Sequence, residues 1–166
     1  MRVEEDTTFR EFARARTTAL RRTAYLLCGD WHLAEDLTQN ALIKLYRVWP
    51  RMHGTARIDN YTRRVLLRCW LDELRRPWRR RERRDGVVPE PPGPEPGENG
   101  LSDVLVRALG EIPPRQRAAV VLRFCSDLPV ADVATALRCS EGTVKSQTAR
   151  GLDALRTVIE RWEVVA

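Results

Sequence analysis

The 166-residue chain lacks any apolar run near the ~20 residues a membrane-spanning helix requires, and its acidic start, MRVEED, is unlike a secretory signal. No membrane insertion and a cytoplasmic location are therefore expected. Lysine is almost missing: only Lys44 and Lys145 occur among 29 basic residues, so the positive charge is nearly all arginine. Arginine's planar fork suits phosphate, although a GC-rich genome yields the same bias. Histidine is limited to His32 and His53, and Cys28, Cys69, Cys125 and Cys139 form no Cys-x-x-Cys pair. Each cysteine lies within or beside an apolar helical pattern, so buried free thiols are expected rather than a disulfide framework or a zinc site. No metal and no cofactor is predicted. A glycine-rich phosphate loop and a set of nucleophile, base and oxyanion donors are also absent, which argues against an enzyme.

What is present is apolar content sufficient for packed cores, at 43%, and a net charge of +6 that is unevenly spread. Residues 1–85 carry 20 basic and 12 acidic side chains, net +8; residues 86–100 carry three glutamates and no base; residues 101–166 are close to balance, with nine against eight. A positive field concentrated in one block favours a polyanionic partner.

Helical periodicity runs through both flanks. Thr8 and Glu11 have the spacing of a capping box opening a helix with Phe9, Phe12, Leu20, Ala24 and Leu27 on one face, ended by Gly29. Asp30 is placed to cap a second helix that Pro50 stops after Trp49, with Leu37, Ala41, Leu45 and Val48 as its inner stripe. Asp59 is the expected cap of a third, Asn60 to Arg76, with Val65, Cys69 and Trp70 inward and Arg64, Arg68 and Arg75 as an outward ridge. The following run RRPWRRRERR holds seven arginines and Trp78, which suits stacking on bases better than a membrane surface, since it lacks an apolar face. Residues 86–100, with five prolines interleaved with glycines, read as a linker able to span up to roughly 45 Å when extended. Beyond it, Ser102 is the expected cap of a short helix to Leu109, and Pro113 and Pro114 open another from Arg115 to Cys125.

The stretch Val130 to Leu155 has the spacing of a helix-turn-helix. Val133, Ala134 and Leu137 would face inward from its first helix, and Val144, Leu152 and Leu155 from its second. Ser140 would cap that second helix, leaving Thr143, Lys145, Ser146 and Arg150 outward, where such donors reach phosphates and base edges in a major groove. An ordinary helical hairpin shares this pattern. Arg138 occupies the turn, where glycine would adopt a left-handed conformation at roughly 1 kcal/mol less cost. The fold class expected is all-α: two small helical bundles joined by a flexible Pro/Gly-rich linker, the second carrying the helix-turn-helix.

At this point the residues resemble a family. AEDLTQNALIKLYRVW, residues 34–49, resembles the second conserved region of bacterial sigma factors; DNYTRRVLLRCWLDELRR, residues 59–76, resembles the adjoining melting and recognition region. Residues 112–156 are similar to the family's fourth region, and the order with no middle domain resembles the small extracytoplasmic-function class. The resemblance implies region 2 over 1–85, a linker over 86–100 and region 4 over 101–166. It implies that Glu35, Asp36, Leu37, Gln39 and Asn40 bind core RNA polymerase at the beta-prime clamp coiled coil, with the beta flap as a further contact, and that no catalysis is involved. It further implies that Tyr61, Arg64, Arg68, Arg75 and Arg76 hold the opened minus-ten promoter element. Ser140, Thr143, Lys145, Ser146 and Arg150 would read the minus-thirty-five element, and an anti-sigma partner is implied by resemblance alone. Arg68 stands where many relatives carry asparagine, and Arg138 replaces the usual turn glycine. Two other readings compete: a stand-alone helix-turn-helix regulator, which leaves the first bundle unexplained, and a membrane or ribosomal RNA adaptor built on residues 75–84.

Overall fold

A computed structural model describes residues 2–52, 54, 57–76 and 103–165, which are helical with short connections. The arginine run beyond Arg76, Trp78, the linker and the expected Ser102 cap lie outside the described residues. Helix α1 (Arg2–Cys28) begins with Glu4 and Glu5 in its first turn, where the helix dipole favours negative charge, and not at the expected Thr8–Glu11 box. The Thr8 hydroxyl donates to the Glu5 carbonyl at 2.9 Å and accepts the Trp49 indole N–H at 3.0 Å. Tertiary packing explains the earlier start. Phe9 meets Tyr46 and Trp49 edge-on at 5.1 and 5.4 Å, and Phe12 lies 5.1 Å from Trp49, so docking on α2 supports turns that isolated sequence would not.

Gly29, at φ +73°, ends α1 with its N–H on the Tyr25 carbonyl at 2.7 Å. Asp30 caps α2 (Trp31–Met52) as expected: its Oδ1 accepts the N–H groups of His32 and Leu33 at 2.8 and 3.2 Å. Helix α2 continues past Pro50, which sits in the last turn, and buried Trp49, rather than half-buried Val48, completes the stripe of Leu37, Ala41 and Leu45. Helix α3 (Ile58–Leu74) has Arg57 at its cap position without a side-chain bond. Asp59, expected to cap it, lies inside the first turn and pairs with Arg16 of α1 at 2.6 Å. Each end of that pair is substantially exposed, so it orients α3 more than it stabilises it.

The second bundle comprises α4 (Asp103–Gly110), α5 (Pro114–Val120), α6 (Val130–Leu137) and α7 (Glu141–Val165). The expected continuous helix to Cys125 widens after Val120 into a π turn, Val121–Cys125, in which the Ser126 N–H reaches back five residues to the Val121 carbonyl at 3.1 Å. Arg123 closes the following loop by donating to the Leu128 carbonyl at 2.7 Å. Of the four thiols, Cys69 is buried, Cys28 and Cys139 are half-buried, and Cys125 is exposed, contrary to expectation, because the π turn rotates it outward.

The two bundles do not stand apart. Leu20, Leu27, Leu67 and Trp70 of the first and Val106, Leu109, Val121 and Leu122 of the second belong to one continuous buried cluster. At its centre the Arg117 side chain of α5, itself buried, donates to the Leu27 carbonyl at 2.7 Å and lies over the fully buried Trp70 ring at 5.5 Å. It also donates to the carbonyls of Ile112 and Gly110 at 3.0 and 3.4 Å. The Thr23 and Ser126 hydroxyls meet at 3.2 Å, and Asn60 donates to Asp132 at 3.1 Å.

Within the second bundle α7 crosses α5 at Gly151, and a Cβ there would stand 2.7 Å from Val120 Cγ2 and 3.0 Å from the Gln116 carbonyl oxygen. Leu152, expected inward, is consequently 37% exposed, and Gly151 and Val158 take its place beside Val144. Gly142, on the exposed first turn of the same helix, has only the Ser140 hydroxyl nearby, at 3.8 Å. The same substitution should therefore act with opposite sign at the two sites. Gly151→Ala is expected to destabilise by about 1–3 kcal/mol through overpacking, and Gly142→Ala to stabilise by about 0.5 kcal/mol through helix propensity. Urea unfolding of the two variants checks this.

Candidate nucleic-acid interface

Helix α6 ends at Arg138, which adopts the left-handed conformation the turn requires (φ +55°, ψ +50°), with the Cys139 N–H on the Ala134 carbonyl at 3.1 Å. Arg115 of α5 donates to the Leu137 carbonyl at the same end. These bonds fix the angle at which α7 leaves the turn. Ser140 then caps α7: its hydroxyl oxygen accepts the Thr143 N–H at 3.1 Å and lies 2.9 Å from the Thr143 hydroxyl. Val133, Ala134, Leu137 and Val144 are buried between the helices, whereas Thr143, Lys145, Ser146 and Arg150 are all exposed. The result is a helix whose solvent-exposed side carries several donors, as a major-groove reader requires.

On α3 the expected outward ridge divides. Arg75 and Arg76 are exposed, with Arg76 paired to Glu73 at 3.5 Å, but Tyr61, Arg64 and Arg68 are half-buried because α6 lies over them. Thr135, Ala136 and Arg138 face them across an open cleft of about 390 Å³ that Lys44 of α2 also lines. Arg64 lies over the Tyr61 ring at 5.7 Å. Burial holds the Arg68 guanidinium below its ordinary pKa, and Arg138 opposite pushes the same way. Nearby, the thiol of Cys69 is pushed up by burial, against a pull from Lys44.

The third group sits on the other side of α3. Asp36, Gln39 and Asn40 are exposed on α2 and line a shallow depression shared with Glu73 and Arg76. Glu35 is half-buried and paired with Arg21 of α1. Leu37 is only 1% exposed: it anchors the segment to the core and lies at the floor of the same depression.

Residues 12–80 match the Sigma-70 region 2 family and residues 102–155 the Sigma-70 region 4 family. The chain is 35% identical over 153 residues to the RNA polymerase sigma-E factor of Streptomyces coelicolor, covering 89% of this chain and 84% of the relative. The ECF RNA polymerase sigma factor SigM of Mycobacterium tuberculosis is 30% identical over 151 residues, covering 86% and 72%. The chain belongs to the extracytoplasmic-function sigma factors.

The fold agrees with that of a solved relative. The sigma factor RpoE in complex with the anti-sigma factor NepR from Bartonella quintana superimposes with a TM-score of 0.73 at 25% identity, over 92% of this chain and 97% of that one. As a sigma factor, the protein binds core RNA polymerase and promoter DNA and directs transcription initiation. Sigma factors are not enzymes. A stand-alone helix-turn-helix regulator would leave the region 2 match unexplained, and no helix among the described residues is long and apolar enough to cross a membrane.

Sequence reasoning missed the residues that join the two regions of this sigma factor: Arg117, the Thr23–Ser126 pair and the Asn60–Asp132 pair. One signal was available, since Arg117 immediately precedes the apolar run Ala118–Leu122, where a charge must find buried partners. Arg117→Met keeps most of the volume over Trp70 but removes the donors to three carbonyls. A loss of about 3 kcal/mol is expected, with both regions unfolding at a lower temperature, as read by calorimetry.

Proposed function

We propose that this sigma factor docks on the beta-prime clamp coiled coil through Asp36, Gln39 and Asn40, with Glu35 at the edge of the patch and Leu37 holding it from beneath. The reading is supported by an exposed polar and acidic face on an otherwise strongly basic first region. Tyr61, Arg64, Arg68, Arg75 and Arg76 then hold the opened minus-ten element, combining an aromatic ring for a displaced base with guanidiniums for phosphates. Thr143, Lys145, Ser146 and Arg150 read the minus-thirty-five element, and Ser140 serves chiefly as the cap that aims them. Region 2 extends over 1–85 and region 4 over 101–166, joined by residues 86–100, with the beta flap as region 4's contact on the polymerase. The protein acts in the cytoplasm without catalytic chemistry of its own, and an anti-sigma factor is a partner by analogy with the RpoE–NepR complex.

The observation that carries this reading is the helix-turn-helix with its exposed donor face, on the same chain as a second, separately basic helix, α3. Asp36→Arg is expected to abolish association with core polymerase while shifting stability by about 0.5 kcal/mol or less, because Asp36 is exposed. Co-purification and thermal melting of the variant test it; unimpaired co-purification would sink the docking assignment.

Position along α7 separates base reading from backbone holding. Lys145 and Ser146 lie near the helix start and approach base edges, whereas Arg150 lies more than a turn further on, where the helix leaves the groove. Lys145→Ala and Ser146→Ala should change the preferred upstream sequence, by about 1–3 kcal/mol for a bidentate contact and less for a single one. Arg150→Ala should weaken binding to all sequences alike and reduce the salt slope by about one ion. A transcription screen over randomised upstream elements at two salt concentrations measures both. A changed preference in the Arg150 variant alone would reverse the assigned orientation of α7.

A further inference from the structure

The cleft between α3 and α6 gathers cations from three helices: Lys44 on α2, Arg64 and Arg68 on α3, and Arg138 at the end of α6. Among the described residues, no carboxylate lines its wall. Arg64 Nε and one terminal nitrogen of Arg68 are shielded from solvent and have no hydrogen-bond acceptor among the described residues. The field at Arg68 reflects the same crowding: after burial, the strongest influence is repulsion from Arg138, which outweighs the attraction of Asp72, and Arg75 and Arg115 add to it. Folded interiors satisfy buried donors and oppose like charges with counter-charge, and this cleft does neither from within. Arg138 makes the arrangement more pointed. Its left-handed backbone is the one position in the turn where glycine would be easier, yet the chain places a fourth cation there, fixed by backbone bonds and facing the other three.

We propose that this cleft is a binding site for a phosphate-bearing anion, held between Arg64 and Arg68 on one wall and Arg138 on the other, with Lys44 alongside. The shared chemistry is the phosphate group, carried by a nucleoside polyphosphate or by free polyphosphate; the Tyr61 ring gives a nucleotide base a surface that free polyphosphate does not use. The site is complete only while α6 lies on α3, so a bound anion favours the closed arrangement. Its regulatory meaning rests on the minus-ten reading of α3: the anion then occupies the guanidiniums that promoter DNA needs.

The test is calorimetric titration of the full-length protein with inorganic pyrophosphate and, separately, with GTP at physiological ionic strength. One-to-one binding is expected. Arg138→Gly, which gives the turn the residue that best fits its backbone and so preserves folding, should weaken that binding about tenfold or more. Arg14→Ala, at an exposed arginine of α1 that does not line the cleft, should leave it unchanged. Inorganic triphosphate, titrated in the same way and matching the phosphate count of GTP, separates base from charge: GTP binding tighter than triphosphate assigns the base to Tyr61, and equal or weaker binding by GTP assigns the site to phosphate alone. No binding by the unaltered protein at millimolar probe, or equal weakening by the Arg14 and Arg138 variants, overturns the proposal. Failure of the minus-ten reading looks different: Arg64→Ala and Arg68→Ala would then leave promoter opening by the holoenzyme intact while still losing the anion.

Discussion

A guanidinium taken out of water sets the arrangement of this molecule. Arg117 cannot be left unsatisfied inside an apolar core, and the groups that satisfy it come from separate places in the chain. The Leu27 carbonyl belongs to the end of α1, those of Gly110 and Ile112 to the α4–α5 connection, and the Trp70 ring to α3. Satisfying one side chain therefore brings the last turn of α1, the C-terminal half of α3 and the middle of α5 to one point. The apolar residues around that point, Leu27, Leu109 and Val121 among them, then close against each other without a seam.

Once that centre is formed, the position of α6 over α3 follows. The Asn60–Asp132 bond holds the two helices at one end, and the cleft with Arg64, Arg68 and Arg138 lies beside it. The free chain thus keeps the donors of α7 exposed to solvent while half-covering the aromatic and basic face of α3. The two surfaces proposed for nucleic acid are presented unequally, and the inequality comes from packing alone.

Local chemistry in the sequence was legible wherever a single residue decided the outcome. Asp30, Ser140 and Gly29 each do what their side chains, or lack of one, dictate at helix ends, and the inner faces of α2 and α6 follow the 3.6-residue period. Long-range packing overrode local signals elsewhere. The Thr8 box failed because Trp49 recruits the Thr8 hydroxyl, and Asp59 failed as a cap because Arg16 claims its carboxylate. The inward register of Leu152 failed because α5 approaches so closely that only glycine fits. For the candidate site, the exposed donors of α7 could be found from spacing, and the acidic face of α2 from the family resemblance. The covering of Tyr61, Arg64 and Arg68 could not, because it depends on contacts between residues more than seventy positions apart, as at Asn60 and Asp132.

The shared core also changes what the family boundaries mean for this chain. They mark units of sequence, yet cutting there would divide a single buried cluster rather than separate two. An isolated first region would return Trp70 and the Leu27 carbonyl to water, and an isolated second region would leave Arg117 without two of its partners. In hydrogen-exchange terms, amides at the end of α1 owe part of their protection to a residue 90 positions downstream, and those around Trp70 to the same residue, Arg117, far along the chain in the second region. Their exchange rates are a built-in gauge of whether the second region is in place.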